Sequence, residues 1–176
     1  MSRNEKTLKT ERIYEGKVIN LRVDTVELPD KKYSKREIVE HSGAVGIIGI
    51  NKAGEVILVK QYRKAVDDFL LEIPAGKIEP QEEPQACAKR EFKEETGYGA
   101  SEFSPLVQCY TSPGFSNEKI HLFKAEGLFK GTAEPDEDEY IETVEISYAT
   151  ALQKIRDGEI QDCKTIMAIL LAKETR

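Results

Sequence analysis

One stretch of the sequence, Glu72–Tyr98, limits the possible folds more than any other, because it predicts a loop, a helix and a second loop in a fixed order. Pro84 suits the first turn of a helix, where its missing N–H is not needed. Gly97 suits the position just past a helix end. The residues between them are good helix formers and include no glycine or proline. We therefore expect a helix that begins at Pro84 and ends just before Gly97.

The predicted helix carries several carboxylates on one face. Glu91 and Glu95 are four residues apart and share a side, and Glu94 adjoins that side. Like charges at this spacing repel each other, and Arg90 can offset part of the repulsion by reaching Glu94. A divalent cation would offset far more, because Mg²⁺ takes oxygen ligands and commonly lies between carboxylates and substrate phosphates. The alternative is a solvated, charged helix face, since lysines are interleaved with the acids.

Length and composition indicate one globular domain, or one with a small appendage. The chain has 176 residues, of which 39% are hydrophobic and 33% charged, as is ordinary for globular proteins. Its net charge of −6 argues against nonspecific nucleic-acid binding. The sequence shows no apolar run long enough for a membrane span and no signal peptide, so we expect no membrane partner and a cytoplasmic protein. The three cysteines form neither a metal-binding pattern nor a disulfide framework.

The rest of the chain predicts short strands and two more helices. Residues 7–28 and 36–41 alternate between polar and apolar and predict a small antiparallel ribbon. Such a ribbon is rarely stable alone, so it must pack on the core or on a second subunit. Ser147 and Asp162 can each cap a helix. Further strands are expected at residues 43–50, 55–63, 106–110, 119–125 and 143–146, which together predict an α+β fold.

The spacing of Gly76, Glu82 and the run Arg90–Tyr98 matches the Nudix box at every fixed position. The chain therefore resembles the Nudix hydrolases, which cleave nucleoside diphosphates linked to another group. Within that superfamily, its likeness to bacterial ADP-ribose pyrophosphatases covers nearly the whole sequence. This likeness is carried by Arg36–His41, Gln61–Arg63, Glu72–Lys77 and Tyr110–Phe115, and by Pro113, which lies fifteen residues past the box.

The resemblance implies a Nudix fold, in which a mixed β-sheet is sandwiched between helices and an N-terminal antiparallel β-ribbon precedes it. Residues 42–176 would form the hydrolase domain, and the strands of residues 1–41 would join two copies into a homodimer. The implied reaction is metal-dependent hydrolysis of ADP-ribose to AMP and ribose 5-phosphate, with two to three Mg²⁺ or Mn²⁺ ions. Two alternatives remain open: a different sugar nucleotide or a dinucleoside polyphosphate as substrate, and a catalytically silent sensor that binds ADP-ribose. The presence of every box carboxylate disfavours the sensor.

The resemblance also implies roles for individual residues. The metal ligands would be Glu91, Glu95, Glu94 and the Ala75 carbonyl. The catalytic residues would also include Glu94, and Arg90, which would orient the carboxylates. Substrate binding would involve Arg36, Arg63, Pro113 and Gly114. The general base would be Glu139, in an acidic segment before the last long strand, with Glu137 as the reserve candidate.

Three residues depart from the usual pattern of the family. Lys31 and Gln81 stand where relatives often carry glycine, and Ser42 replaces a frequent proline. None of the three is an implied ligand. The predicted activity is therefore unaffected, and only the shape of these loops is left open.

Overall fold

The computed structural model describes residues 4–132 and 140–173. The chain divides into two compact units. One consists of the residues up to Gly43 together with Cys109–Lys119, and the other of Ala44–Gln108 together with the residues from Ile120 onward.

The first unit is built on a three-stranded antiparallel sheet with the order β1–β2–β3. Its strands are β1 (Lys6–Glu15), β2 (Asn20–Glu27) and β3 (Tyr33–Glu40). Every residue of β1 is exposed. The end of β3 is joined to the segment that carries Pro113, because the Val39 N–H donates to the Phe115 carbonyl at 2.8 Å and the Val39 carbonyl accepts from the Asn117 N–H at 3.1 Å. The expected N-terminal antiparallel sheet is confirmed.

The second unit is built on a mixed seven-stranded sheet. Its strands are β4 (Ala44–Ile50), β5 (Glu55–Arg63), β6 (Asp68–Glu72), β7 (Ala75–Lys77), β8 (Tyr98–Tyr110), β9 (Lys119–Lys130) and β10 (Ile141–Ser147). The main path runs β10–β5–β4–β9–β8, while β6 pairs with β5 and β7 pairs with β4. The pairing of β4 with β9 is parallel, and those of β5 with β6 and β10 are antiparallel.

Three helices accompany this sheet: α1 (Pro84–Thr96), α2 (Tyr148–Arg156) and α3 (Cys163–Ala172). The predicted helix ends are confirmed. Pro84 occupies the first turn of α1, and Gly97 ends the helix in the left-handed conformation, with φ 70° and its N–H donating to the Lys93 carbonyl at 2.8 Å. The Ser147 hydroxyl caps α2, and the Asp162 carboxylate caps α3.

The buried core holds α1 against the sheet. Its members from β4, β5 and α1 are Val45, Ile47, Ile57, Cys87, Ala88 and Phe92. At Gly49 in β4 an added Cβ would lie 2.7 Å from the Phe92 ring, so the ring packs directly on the β4 backbone. Because β7 pairs with β4, this packing also fixes α1 relative to β7. Since α3 also contacts β4, the expected α+β architecture with a mixed sheet and packed helices is confirmed.

The two positions where relatives often carry glycine have the backbone conformation that glycine favours. Lys31 has φ 67° and Gln81 has φ 69°. The Gln81 turn is closed by the Glu82 N–H, which donates to the Glu79 carbonyl at 3.0 Å. With Pro80 before it, Gln81 occupies the turn position that needs positive φ. A residue with a Cβ pays a steric cost there.

Candidate active site

A polar cleft lies where β7 and the loop after it meet α1. Its volume is about 220 Å³, and its walls are Ala75, Gly76, Lys77, Glu79, Arg90, Glu91 and Glu94. Five of these seven residues were singled out by the sequence, either as implied ligands or as fixed positions of the motif. The cleft therefore brings the implied metal-binding and catalytic residues of α1 together with the backbone of β7.

Arg90 is the centre of the hydrogen bonds in this cleft. Its Nε and Nη2 donate to the two oxygens of Glu82 at 2.9 and 3.0 Å, a bidentate pair. Its Nη1 donates to Glu91 at 2.7 Å and to Glu94 at 3.0 Å. One guanidinium thus holds three carboxylates, which agrees with the implied role of Arg90 in orienting them. It also extends that role to Glu82, which connects the loop before α1 to the helix.

These contacts change the ionisation of the groups around Arg90. The hydrogen bond from Arg90 lowers the pKa of Glu82 to about 2, against the opposing effect of burial. The hydrogen bond with Glu82 in turn raises the pKa of Arg90 above its ordinary value. Cys87 lies beside this pair, and burial raises the pKa of its thiol to about 12. The thiol is therefore protonated and unreactive at neutral pH.

Close approach of side chains to the β7 backbone explains the glycine of the motif. An added Cβ at Gly76 would lie 1.8 Å from the Glu91 carboxyl carbon, so the Glu91 carboxylate occupies the space that any other residue would fill. Glu95 is only 5% exposed, and its Oε2 accepts a hydrogen bond from the Ala75 N–H at 3.0 Å. Both glutamates are thus held against the backbone of β7.

The donor chemistry at this cleft suits a hard cation, because the carboxylates of Glu91 and Glu94 and the backbone of Ala75 line it, and the Glu95 carboxylate lies beside it against Ala75. Within residues 4–132 and 140–173, no group of three or more His, Cys, Asp or Glu side chains stands in positions that would hold a metal ion. The reason is visible in the contacts: Glu91 and Glu94 face Arg90, and Glu95 faces the Ala75 N–H. The oxygen donors of these residues suit a divalent cation, which would bind them once the three side chains turn toward it.

A second arginine centre lies at the ends of β5 and β6. Arg63, an implied substrate ligand, donates from Nε and Nη2 to the two oxygens of Glu72 at 2.8 and 2.9 Å. Lys164 of α3 also bonds Glu72 and lies 3.1 Å from the Asp162 carboxylate. The hydrogen bond to Glu72 raises the pKa of Arg63, and Glu95 adds to this effect through its charge. Arg63 therefore stays cationic, with 39% of its side chain exposed.

Burial and two cationic partners act in opposite directions on Glu72. Burial, the largest effect, raises its pKa, but the bonds from Arg63 and Lys164 outweigh it and lower the pKa overall. Sequence reasoning placed Glu72 in the motif region without giving it a role, and it did not find Lys164. No local pattern could have found this pair, because the two residues are 92 positions apart.

The other implied substrate ligands belong to the first unit. Arg36 lies on β3, where it donates to the Glu5 carboxylate at 2.9 and 2.5 Å. Pro113 and Gly114 lie in the segment that hydrogen-bonds to the end of β3, so this unit brings them near the strand of Arg36. The implied general base, Glu139, and its reserve, Glu137, lie outside the described residues.

Comparison with known families finds two matches that together cover most of the chain. Residues 40–165 match the model of the NUDIX domain. Residues 5–39 match that of the nucleoside diphosphate sugar hydrolase N-terminal domain.

Several characterised proteins are similar over nearly the full length. An ADP-ribose pyrophosphatase of Bacillus subtilis (strain 168) is 47% identical over 170 residues, which cover 96% of this chain and 92% of that protein. A methanol dehydrogenase activator of Bacillus methanolicus is also 47% identical, over 94% of this chain and 90% of its own. An ADP-ribose pyrophosphatase of Mycobacterium tuberculosis is 35% identical over 93% of this chain and 81% of its own.

Among solved structures, the crystal structure of an ADP compounds hydrolase superposes with a TM-score of 0.85. It covers 97% of this chain and 92% of that one at 23% identity, which bears on the fold alone. No helix within the described part of the chain is long and apolar enough to cross a membrane.

Proposed function

Because this chain belongs to the Nudix family, we propose that it hydrolyses the diphosphate of ADP-ribose to AMP and ribose 5-phosphate. The family membership confirms the resemblance inferred from the sequence. The observation that carries the proposal is the cleft at α1, where Arg90 gathers three carboxylates beside the β7 backbone. The substrate is taken from the ADP-ribose pyrophosphatases that align with nearly the whole chain.

In this proposal Glu91, Glu95, Glu94 and the Ala75 carbonyl hold Mg²⁺ or Mn²⁺, in two to three ions. The bound cations would supply Lewis-acid chemistry and would lower the pKa of water. The chain's own part is to present the carboxylates. Gly76 leaves room for Glu91, and the Ala75 N–H orients Glu95. Arg90 keeps Glu91 and Glu94 together despite their mutual repulsion, so the carboxylates are gathered before a cation binds.

Arg63 is proposed to bind the diphosphate. Its guanidinium is fixed by two bonds to Glu72, which remove much of the entropy cost of ordering a long side chain at the moment of binding. The same bonds keep it charged, and a planar guanidinium suits phosphate oxygens. Arg36, Pro113 and Gly114 remain proposed substrate contacts on the strength of the resemblance.

The general base is proposed to be Glu139. Its replacement by Gln should lower kcat far more than it raises KM, because proton abstraction belongs to the transition state. The same replacement at Glu137 should be milder. If Glu137→Gln is the crippling change and Glu139→Gln is nearly silent, the role moves to Glu137.

A substrate panel tests the proposed function. The full chain is assayed with ADP-ribose, GDP-mannose and a dinucleoside polyphosphate, each with and without Mg²⁺. The expected result is the highest kcat/KM for ADP-ribose and no turnover after chelation. A clear preference for another substrate would replace the assignment, and turnover in excess chelator would contradict the role of the metal.

GDP-mannose is the substrate of the second candidate function. GDP-mannose pyrophosphatases align at 35–36% identity over 77% of this chain. This coverage is lower than that of the ADP-ribose pyrophosphatases, so ADP-ribose is preferred.

We also propose that the chain is a homodimer joined through the N-terminal sheet. All ten residues of β1 are exposed, including Leu8, Ile13 and Tyr14, each about half exposed. Exposed apolar side chains on this strand support the proposal that another chain covers it. Light scattering should give twice the chain mass, and a chain lacking residues 1–40 should be monomeric and inactive. An active full-length monomer would contradict this assembly.

A further inference from the structure

Among the residues that the structure describes, one buried polar atom two positions from Arg63 on β5 has no hydrogen-bond partner. The Oε1 atom of Gln61 is buried from solvent, and within residues 4–132 and 140–173 it accepts no hydrogen bond. Buried polar atoms are nearly always paired, so an orphaned acceptor needs an explanation. Gln61 precedes Arg63 by two residues on β5, and the function proposed above assigns it no role.

The strand register places Gln61 on the side of the sheet that faces α1. Side chains alternate along a strand, so Gln61 and Arg63 share the face of Ile57 and Val59. Ile57 belongs to the core formed with Phe92 of α1. The partner of Val59 across the sheet is Thr143 of β10, whose hydroxyl donates to the Glu95 carbonyl at 3.4 Å.

This placement locates the orphaned acceptor between two groups of the proposed site. On β6, Leu70 is opposite Gln61 and Glu72 is opposite Val59. The bond from Arg63 to Glu72 therefore runs past Gln61 along the same face. Glu95, at the end of α1, is close enough to raise the pKa of Arg63 through its charge. Gln61 is thus flanked by the arginine proposed to bind phosphate and by the end of α1.

The chemistry of the acceptor limits what can satisfy it. Ionised phosphates and carboxylates only accept hydrogen bonds, so neither the diphosphate nor Glu72 can donate to Oε1. The sugar hydroxyls can donate, and they lie within a few covalent bonds of the diphosphate that Arg63 is proposed to hold. A site that keeps a buried acceptor for a substrate hydroxyl discriminates against substrates that lack it.

We propose that Gln61 Oε1 accepts a hydrogen bond from the 2- or 3-hydroxyl of the terminal ribose, which makes Gln61 a specificity-determining residue. This inference rests on the proposed function. Removal of an unpaired buried acceptor leaves the stability of the fold unchanged or raises it. Removal of a paired polar group lowers the stability of the fold. Activity and stability should therefore change independently, or in opposite directions, when Gln61 is replaced.

The first experiment compares Gln61→Met with a paired control. Methionine has a similar size and no amide. Gln61→Met should keep or raise the Tm and should lower kcat/KM for ADP-ribose about tenfold, the worth of one hydrogen bond. The control is Gln85→Met on α1, because the Gln85 amide donates to the Phe103 carbonyl at 2.7 Å. It should lower the Tm and leave kcat/KM unchanged. Unchanged kcat/KM in Gln61→Met would overturn the inference.

The second experiment identifies the donor. Wild type and Gln61→Met are each assayed with ADP-ribose and with an analogue whose terminal ribose lacks its 2- and 3-hydroxyls. Wild type should prefer ADP-ribose about tenfold, and Gln61→Met should lose this preference. If both proteins prefer ADP-ribose equally, Gln61 does not contact a sugar hydroxyl and the inference is wrong. Hydrolysis of neither compound by wild type would instead refute the proposed function itself, and with it this inference.

Discussion

The second unit contains two arginines, Arg90 and Arg63, that each form a bidentate pair with a glutamate but differ in their surroundings. Arg90 and Arg63 each hold a glutamate, Glu82 or Glu72, through Nε and Nη2 at distances of 2.8–3.0 Å. Their surroundings differ. The Glu72 side chain is 2% exposed, whereas that of Glu82 is 17% exposed. Lys164 of α3 joins the Arg63 centre at Glu72, while Arg90 lines the polar cleft.

The charge balance of the two centres differs as well. At Glu72, two cationic side chains, Arg63 and Lys164, meet the carboxylates of Glu72 and Asp162. At Arg90, one guanidinium bonds three carboxylates. The balanced cluster needs no further cation at the buried Glu72, since an unpaired charge would be costly there. A partly exposed cluster with surplus carboxylate attracts a cation. We therefore expect Glu72 to contribute chiefly to stability while it orients Arg63 for the proposed diphosphate contact, and the carboxylates around Arg90 to serve chemistry.

The largest effect on stability should come from the buried centre. Replacing Glu72 with Gln removes the charge that compensates Arg63 and Lys164. Breaking a buried pair by removing one partner costs about 3–5 kcal/mol, and urea denaturation should show a loss near the lower end of this range, because Arg63 keeps access to water. A loss no larger than that of Glu82→Gln would remove the distinction between the two centres.

The matching change in the cleft should be milder. Glu82→Gln keeps the shape of the side chain but turns two charged hydrogen bonds from Arg90 into weaker ones. We expect a loss of about 1 kcal/mol in the free energy of unfolding, because solvent screens the remaining charges. Urea midpoints measured side by side with Glu72→Gln provide the check, and equal losses would mean that burial does not separate the centres.

The pH dependence of stability sharpens the comparison further. Since the pKa of Glu82 falls to about 2 in the folded protein, its charge stabilises the fold above the ordinary carboxyl pKa of 4.5. That contribution is lost as the pH falls from 4.5 toward 2. The difference in stability between wild type and Glu82→Gln should therefore be constant above about pH 5.5 and should shrink at lower pH. Parallel curves across this range would contradict the lowered pKa.

The smallest predicted effect concerns the turn that leads to Glu82. Gln81 has positive φ, which costs a residue with a Cβ about 1–2 kcal/mol. Glycine removes this cost but loses more conformational entropy on folding. Gln81→Gly should therefore raise the free energy of unfolding by only about 0.5 kcal/mol, without changing kcat/KM. A destabilised variant would mean that the Gln81 side chain contributes contacts that outweigh the strain.

The sequence predicted one of these centres and not the other. Arg90 and Glu94 are four residues apart on one helix, so their contact follows from helical periodicity and from the proline and glycine at the helix ends. The Glu72 cluster depends on Lys164, which only the tertiary fold brings near. The sequence also failed to predict the start of β8, which was expected at residue 106 but begins at Tyr98 in the structure. Its first half contains glycine, alanine and serine, and tertiary contacts favour the strand there: Tyr98 and Phe103 pack into the core, and β8 pairs with β9.

The central claim is that the glutamates proposed to hold the metal serve chemistry rather than stability, and Glu95→Gln tests it most directly. Glutamine keeps the oxygen that accepts from the Ala75 N–H but removes the charge. We predict that kcat for ADP-ribose with Mg²⁺ falls about 10³-fold or more, while the Tm stays near that of wild type. Near-normal turnover in a folded Glu95→Gln protein would contradict the account.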